Sequence, residues 1–323
     1  MSMVDFKYHV VSLVSVFLAL AVGIILGAGP LQGSIGNTLT GQVDSLRESR
    51  DAMRVELSEA QSELVAANRA VIAAGEQLTA GTLNGRNIAI VTAPDTPDEA
   101  VKAVRERVEG AGGHISGVVR LTENYAAASS ASYRSVLAGN LGTYIQGDNA
   151  GASGDAIIAA GVDELLRGGT GNPNGKSLQT LLTSADNKLL DITQQPEGGA
   201  AAIIFISYDA DHAGANGEVS PSADATPRGN IAQIHADAFA VWAARGPAVA
   251  VGTTDVPDST LDKVRRNGTG STVDSAGSAL SGVNATFATA AEITGKHVSL
   301  GVGSGASKIL GDRVDAAEVA PAA

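Results

Sequence analysis

The first eighty residues constrain this chain more than anything that follows. From Val10 to Ala28 it reads VVSLVSVFLALAVGIILGA, an unbroken apolar run without a charge. At ~1.5 Å per residue, such a run reaches across the ~30 Å hydrocarbon core of a bilayer. Behind it a second pattern begins. Leu39, Val43, Leu46, Arg50, Met53, Leu57, Ala60, Leu64, Ala67, Val71, Ala74 and Leu78 follow one another at alternating spacings of four and three. That places Leu39, Leu46, Met53, Ala60, Ala67 and Ala74 at heptad position d. Val43, Arg50, Leu57, Leu64, Val71 and Leu78 fall at position a. A strict repeat of this kind imposes a left-handed supercoil between helices.

The expectation is an anchor over residues 10–28 and a coiled coil over 38–80 that ends near Gly81 and Asn84-Gly85. The seam would join two copies through Leu39, Val43, Leu46, Arg50, Met53, Leu57, Leu64, Val71 and Leu78. Arg50 at a core position lowers stability and favours one register. The alternative to a coiled coil is an amphipathic helix packed on the globular part, whose apolar stripe is usually wider.

A cleaved signal peptide is the main alternative to an anchor. Its apolar region is shorter and ends in a small-x-small site. Here Pro30 follows Gly27-Ala28-Gly29 and disfavours cleavage, and a chain without cysteine excludes lipoprotein processing. Lys7 precedes the run, and no cation follows it until Arg47. The positive-inside rule then expects residues 1–9 in the cytoplasm and the bulk outside, in a periplasm-like space. The lack of cysteine agrees with an oxidising exterior.

The chain carries 34 acidic and 22 basic side chains, a formal net charge of -12. Nucleic acid is therefore not an expected partner, and neither are anionic headgroups for the soluble part. Aromatic residues make up only 3%, so the core must be built from small aliphatic side chains.

Residues 86–313 read as a three-layer α/β domain with a mostly parallel sheet. Strands are expected at Ile88–Thr92, Ile115–Leu121, Ala202–Ser207 and Ala248–Gly252. Helices are expected at Asp98–Glu109, Asp155–Arg167, Ser177–Leu190, Ile231–Ala244 and Ala276–Ile293. The first strand, helix and strand form a βαβ unit and predict a parallel pair. The Ala/Pro-rich tail 314–323 is expected to be disordered.

Few residues suggest chemistry. Asn174-Gly175-Lys176-Ser177 lacks the earlier glycine and the preceding strand of a phosphate loop, and reads as a turn entering a helix. Gly301-x-Gly303-x-Gly305 lacks the last glycine of a dinucleotide loop and reads as a turn region. One polar constellation, Asp209-Ala210-Asp211-His212, follows a predicted strand, where open α/β sheets place ligands. Two carboxylates and an imidazole suit a divalent metal such as Cu(II), with His235 a candidate further ligand; the alternative is an acidic surface loop. Soft ligands for Cu(I) are scarce: there is no cysteine, and beyond the anchor the only methionine is Met53. No serine or histidine sits in a nucleophile motif, so no enzyme and no resident cofactor are expected.

The opening DFKYHVVSLVSVFLALAVGIILGAGPL, with its aspartate-aromatic-x-Tyr-His entry to the span, resembles the start of the actinobacterial MctB-like family, called copper transporters. Gly270-Ser-Thr-Val-Asp274 is similar to a family motif near the C-terminus. The resemblance implies an envelope protein, copper efflux and an outer-membrane pore. The SteB branch of the family implies a different role, in septal envelope assembly, and the heptad favours that reading: the expected function is a dimeric coiled-coil scaffold that regulates envelope enzymes, with copper efflux the alternative. The implied partners of that branch are a SteA-like membrane protein and a peptidoglycan hydrolase.

Overall fold

The computed structural model describes residues 3–147, 151–184, 187–208, 228–254 and 256–316. The chain divides into two compact units, 1–66 and 67–323. Helix α1 is Met3–Thr79.

The second unit is an α/β domain. In chain order its elements are β1 (Asn87–Thr92), α2 (Asp98–Gly110), β2 (His114–Leu121), α3 (Ala131–Leu141), α4 (Gly154–Gly168) and α5 (Pro173–Leu182). Then come β3 (Leu190–Gln194), β4 (Ala202–Ile206), α6 (Arg228–Arg245), β5 (Ala248–Val251), α7 (Thr260–Asn267), β6 (Ser271–Val273), α8 (Ala279–Ile293) and β7 (Ser299–Leu300). The sheet order is β3-β2-β1-β4-β5-β6-β7. All neighbours are parallel except β3, which runs antiparallel to β2 at one edge.

The central strands are buried on both faces, as parallel strands covered by helices must be. Alternate residues point to opposite faces. Ala89, Val91, Ile203, Phe205, Ala248 and Ala250 pack with Leu165 of α4 and Phe239 and Trp242 of α6. Ile88, Ile90, Ile204, Ile206, Val249 and Val251 pack with Val104 and Val108 of α2 and Val283 and Phe287 of α8. The three layers and the parallel β1–β2 pair agree with the sequence.

One predicted helix is corrected. Ser177–Leu190 is helical only to Leu182, and the helix begins earlier, at Pro173. Asn172 caps it, its side chain accepting from Gly175 N at 2.7 Å, and proline fits the first helical position because its missing N–H is not needed there. Residues Leu190–Gln194 instead form β3, an edge strand. The chain also stays ordered past Val314. Ala316 is buried, its N–H donates to Thr82 O, and Arg86 donates to its carbonyl. Only residues 317–323 of the tail lie outside the described residues.

The last turns of α1 dock on the domain. Val71 packs on the cluster of α2 and α8, and Gly75 and Thr79 are buried one and two turns on. A Cβ on Gly75 would run into Val283 of α8. The helix ends ahead of Gly81, which is left-handed at φ +77°. Arg313 donates to Leu78 O and Ala80 O, both at 2.7 Å, and so satisfies carbonyls that the helix end leaves open. Gly75→Leu is expected to cost about 1–3 kcal/mol by overpacking this contact. Chemical unfolding of the variant against the parent checks it; no change in midpoint would show that the docking does not need a glycine.

Candidate functional site

Two regions carry the features that bear on function. The first is α1. Its segment Phe6–Gly27, 22 residues at mean hydropathy 2.7, buries nothing within the chain. It is long and apolar enough to cross a membrane, at ~33 Å. Further along, the heptad residues Val43, Leu46, Met53, Leu57 and Leu64 are also exposed, the last four at 59–69%. Arg50 is held by its neighbour Asp51 at 2.8 Å. Leu39 is on the helix, but its side chain lies outside the described residues. Leu78 is exposed, and Val71 is the seam residue that contacts the domain.

The second region is the carboxyl edge of the sheet, where open α/β folds place their sites. Asp209, Asp211 and His212, the candidate metal ligands, lie outside the described residues. Among the described residues, no cluster of three or more His, Cys, Asp or Glu could hold a metal. His235, the candidate further ligand, is in the second turn of α6 and 2% exposed. Phe205 and Tyr125 flank its ring, at 6.0 and 6.2 Å between centroids. Burial alone lowers its pKa to about 4.

The best-ordered polar centre at this edge is Asp274, just past β6. Its buried carboxylate accepts from Val302 N at 2.8 Å, Gly303 N at 2.9 Å, Ser275 Oγ at 2.8 Å and Arg265 Nη2 at 3.1 Å. Burial pushes the carboxyl up; the Ser275 hydroxyl, the two amides and Arg265 together outweigh it and hold the pKa below the usual carboxylate value. Arg265 also donates to Thr272 Oγ1 at 3.1 Å. The glycines explain themselves here. A Cβ on Gly301, at φ +133°, would overlap the Asp274 carboxylate, and one on Gly303 would overlap Thr254 Oγ1. Thus Gly270–Asp274 and Gly301–Gly305, unrelated in sequence, are two halves of one knot. With four donors, the Arg265 guanidinium among them, the carboxylate is saturated and positions the loop.

The Asn174–Ser177 segment is the first turn of α5. Sequence reasoning missed the Asp274 knot. The available signal was the glycine-rich Gly301–Gly305 segment, which failed as a dinucleotide loop, together with the Gly270–Asp274 motif.

One membrane-length helix that shares its length with an exposed heptad, followed by a mostly parallel α/β domain, defines the class of protein. The family described as copper transport outer membrane protein, MctB, matches residues 3–310, and the chain belongs to it. The copper transporter MctB of Mycobacterium tuberculosis is 35% identical over 136 residues, 40% of this chain and 41% of that protein. The protein of that name from Mycobacterium leprae is 27% identical over 135 residues, 40% of each chain. The matched stretch thus spans about two fifths of the length of these relatives.

Asp274→Ala is expected to cost about 3–5 kcal/mol, because it strands the Arg265 charge and two amides. The parent's Asp274 pKa is depressed in the folded state. Its contribution is therefore full above the ordinary carboxylate pKa and is lost as pH falls through the depressed value. Unfolding midpoints measured from pH 6 downward should show this acid limb in the parent and not in the variant.

Proposed function

We propose that this protein is a single-span component of the cell envelope that serves copper homeostasis as a homodimer, without enzymatic activity. The observation that carries this reading is the match of residues 3–310 to a family described as copper transport outer membrane protein. The exposed apolar span supports membrane residence. Lys7, just before the charge-free run that begins at Val10, supports a cytoplasmic start and an extracytoplasmic domain. The seam from Leu39 to Leu64 joins two copies, running parallel because both are anchored in one membrane. A single helix encloses no channel, so the pore that the family description suggests would need several copies in a ring.

A second reading has its own support. The exposed seam and the shortage of soft ligands suit a scaffold that regulates envelope enzymes, such as septal peptidoglycan hydrolases, through a SteA-like membrane partner. Copper effects would then arise indirectly. Purification of the full-length protein from membranes, with copper quantified in the same sample, separates the two. Stoichiometric copper supports direct handling. A copper-free sample that carries a membrane partner and a hydrolase supports the scaffold.

Because the chain has no cysteine, one introduced thiol reports on the seam. In membranes, Leu57→Cys is expected to give a disulfide-linked dimer on mild oxidation. Leu57→Asp with Leu64→Asp is expected to abolish dimers, since each buries an unpaired charge at the seam. A parent that stays monomeric by light scattering in detergent at every accessible concentration would reject the homodimer.

Copper affinity is expected to be low. Cu(I) favours thiolate and thioether ligands, and beyond the anchor the chain offers only Met53. Calorimetry with both oxidation states should find no sub-micromolar Cu(I) site. A tight Cu(II) site lost in His212→Ala would place copper at the Asp209–His212 loop instead.

A further inference from the structure

The heptad spacing does not stop where the exposed seam does. It continues with the same alternation through Leu64, Ala67, Val71, Ala74 and Leu78. A coiled coil would bury Val71 and Leu78 at position a and Ala74 at position d. The folded domain holds that stretch differently. Val71 packs on the cluster of α2 and α8, Gly75 closely approaches Val283, and Thr79 is buried. Glu76 lies 3.7 Å from Arg107 of α2. Leu78 is left 42% exposed, and Ala67 and Ala74 are exposed as well. Val71 cannot face the domain and a second helix at once.

A short segment bears on which of the two it faces. Residues 311–316 run from α8 to the exit of α1. At one end the Asn284 side chain donates to Ile309 O at 2.7 Å and accepts from Gly311 N at 3.1 Å. A Cβ on Gly311 would overlap Phe287, so the segment lies close against α8. At the other end Arg313 donates to Leu78 O and Ala80 O, and Ala316 N donates to Thr82 O at 2.9 Å. Arg86, at the entry to β1, donates to Ala316 O through Nε at 3.0 Å and Nη2 at 2.7 Å. The segment thus ties the exit of α1 to α8 and β1, largely through hydrogen bonds. Arg313 itself is exposed, and such a contact opens more readily than the packed core.

We propose that residues 311–316 are a latch that sets how far the homodimer seam extends. Closed, it keeps Val71, Gly75 and Thr79 on their own domain, and the seam stops at Leu64. Open, the last turns of α1 leave the domain and pair with a second copy, and the seam runs on to Leu78. The occupant is a second copy because Val71, Ala74 and Leu78 keep the heptad register of Leu46–Leu64. Alanine at 67 and 74 offers little apolar surface to bury, so the extension is weak and the latch decides it. This inference rests on the homodimer proposed above.

Single thiols in the full chain, which has no cysteine, test it in membranes under mild oxidation. Leu57→Cys reports on the seam itself, and failure to link there defeats the homodimer reading. Where Leu57→Cys links, Val71→Cys should link slowly while the latch is intact. Adding Arg313→Ala should speed that linkage about tenfold, the effect of losing the Arg313 hydrogen bonds. Hydrogen exchange on Arg313→Ala in detergent should show amides of residues 75–79 losing protection while those of β1 and β4 keep theirs. The latch is overturned if Val71→Cys links as fast as Leu57→Cys in the parent, or if Arg313→Ala leaves its rate unchanged. It is also overturned if β1 and β4 lose protection in step with residues 75–79, since the exit then does not open on its own. Should Arg313→Ala not fold, Arg313→Lys, which keeps the charge but not the fork, is read by the same comparisons.

Discussion

A helix that buries none of its apolar surface within its own chain has to bury it elsewhere, and the rest of this molecule is arranged around that requirement. Over Val10–Gly27 the backbone is satisfied internally by the helix, and no side chain carries a charge. At roughly 25 cal/mol per Å² of apolar surface, leaving such a run in water would cost more than a whole domain's net stability. Lipid removes that cost. The heptad that follows faces a milder form of the same problem. Leu46, Met53, Leu57 and Leu64 form a narrow exposed stripe flanked by charges, a pattern that suits another helix with a matching stripe better than lipid. From Val71 onward the helix packs on its own domain, with Gly75 against Val283.

Much of the fold could be read from the sequence because its signals were local. Ile88–Thr92 and Ala202–Ser207 are continuous apolar runs bounded by turns, and both are central strands. Asp98–Glu109 had proline at its start, acids in its first turn and glycines at its end, and α2 matches it within one residue. The failures came where tertiary context decides. Leu190–Gln194 has no continuous apolar run, because an edge strand buries only part of its surface, and the preceding helix seemed to extend through it. Strands β6 and β7 are three and two residues long, too short for any periodicity; they exist because β5 offers an open edge. Arg313 and Ala316 looked like the start of a tail, but the exit of α1 supplies carbonyls for them.

The same distinction governs the candidate sites. The apolar span was legible because it is one continuous run along one helix. The Asp274 knot was not, since its donors come from residues 265, 275, 302 and 303 and only the fold brings them together. Glycine was the trace it left. Gly301 and Gly303 are there because the backbone must come close enough to donate to the carboxylate, which is also why glycines serve phosphate loops. Spacing alone does not distinguish a loop that wraps an external anion from one that wraps the protein's own.

Asp274 and His235 show what a buried titratable group becomes in each of two surroundings. Asp274 has four donors, one of them a guanidinium, so its charged form is the stable one and its pKa falls. His235 has aromatic neighbours and an unmet nitrogen, so its neutral form is the stable one and its pKa falls as well. Both groups therefore resist protonation when folded, for opposite reasons: one charge is well solvated by the protein, the other would not be solvated at all. As pH drops, the two do not fail together. The histidine starts to oppose the folded form below about 6.5, the value it has when exposed, whereas the aspartate does so only below the ordinary carboxylate range. Acid thus reaches the α6 face of the sheet before it reaches the loop that closes the β6–β7 edge, and the order is set by which buried group lacks a partner.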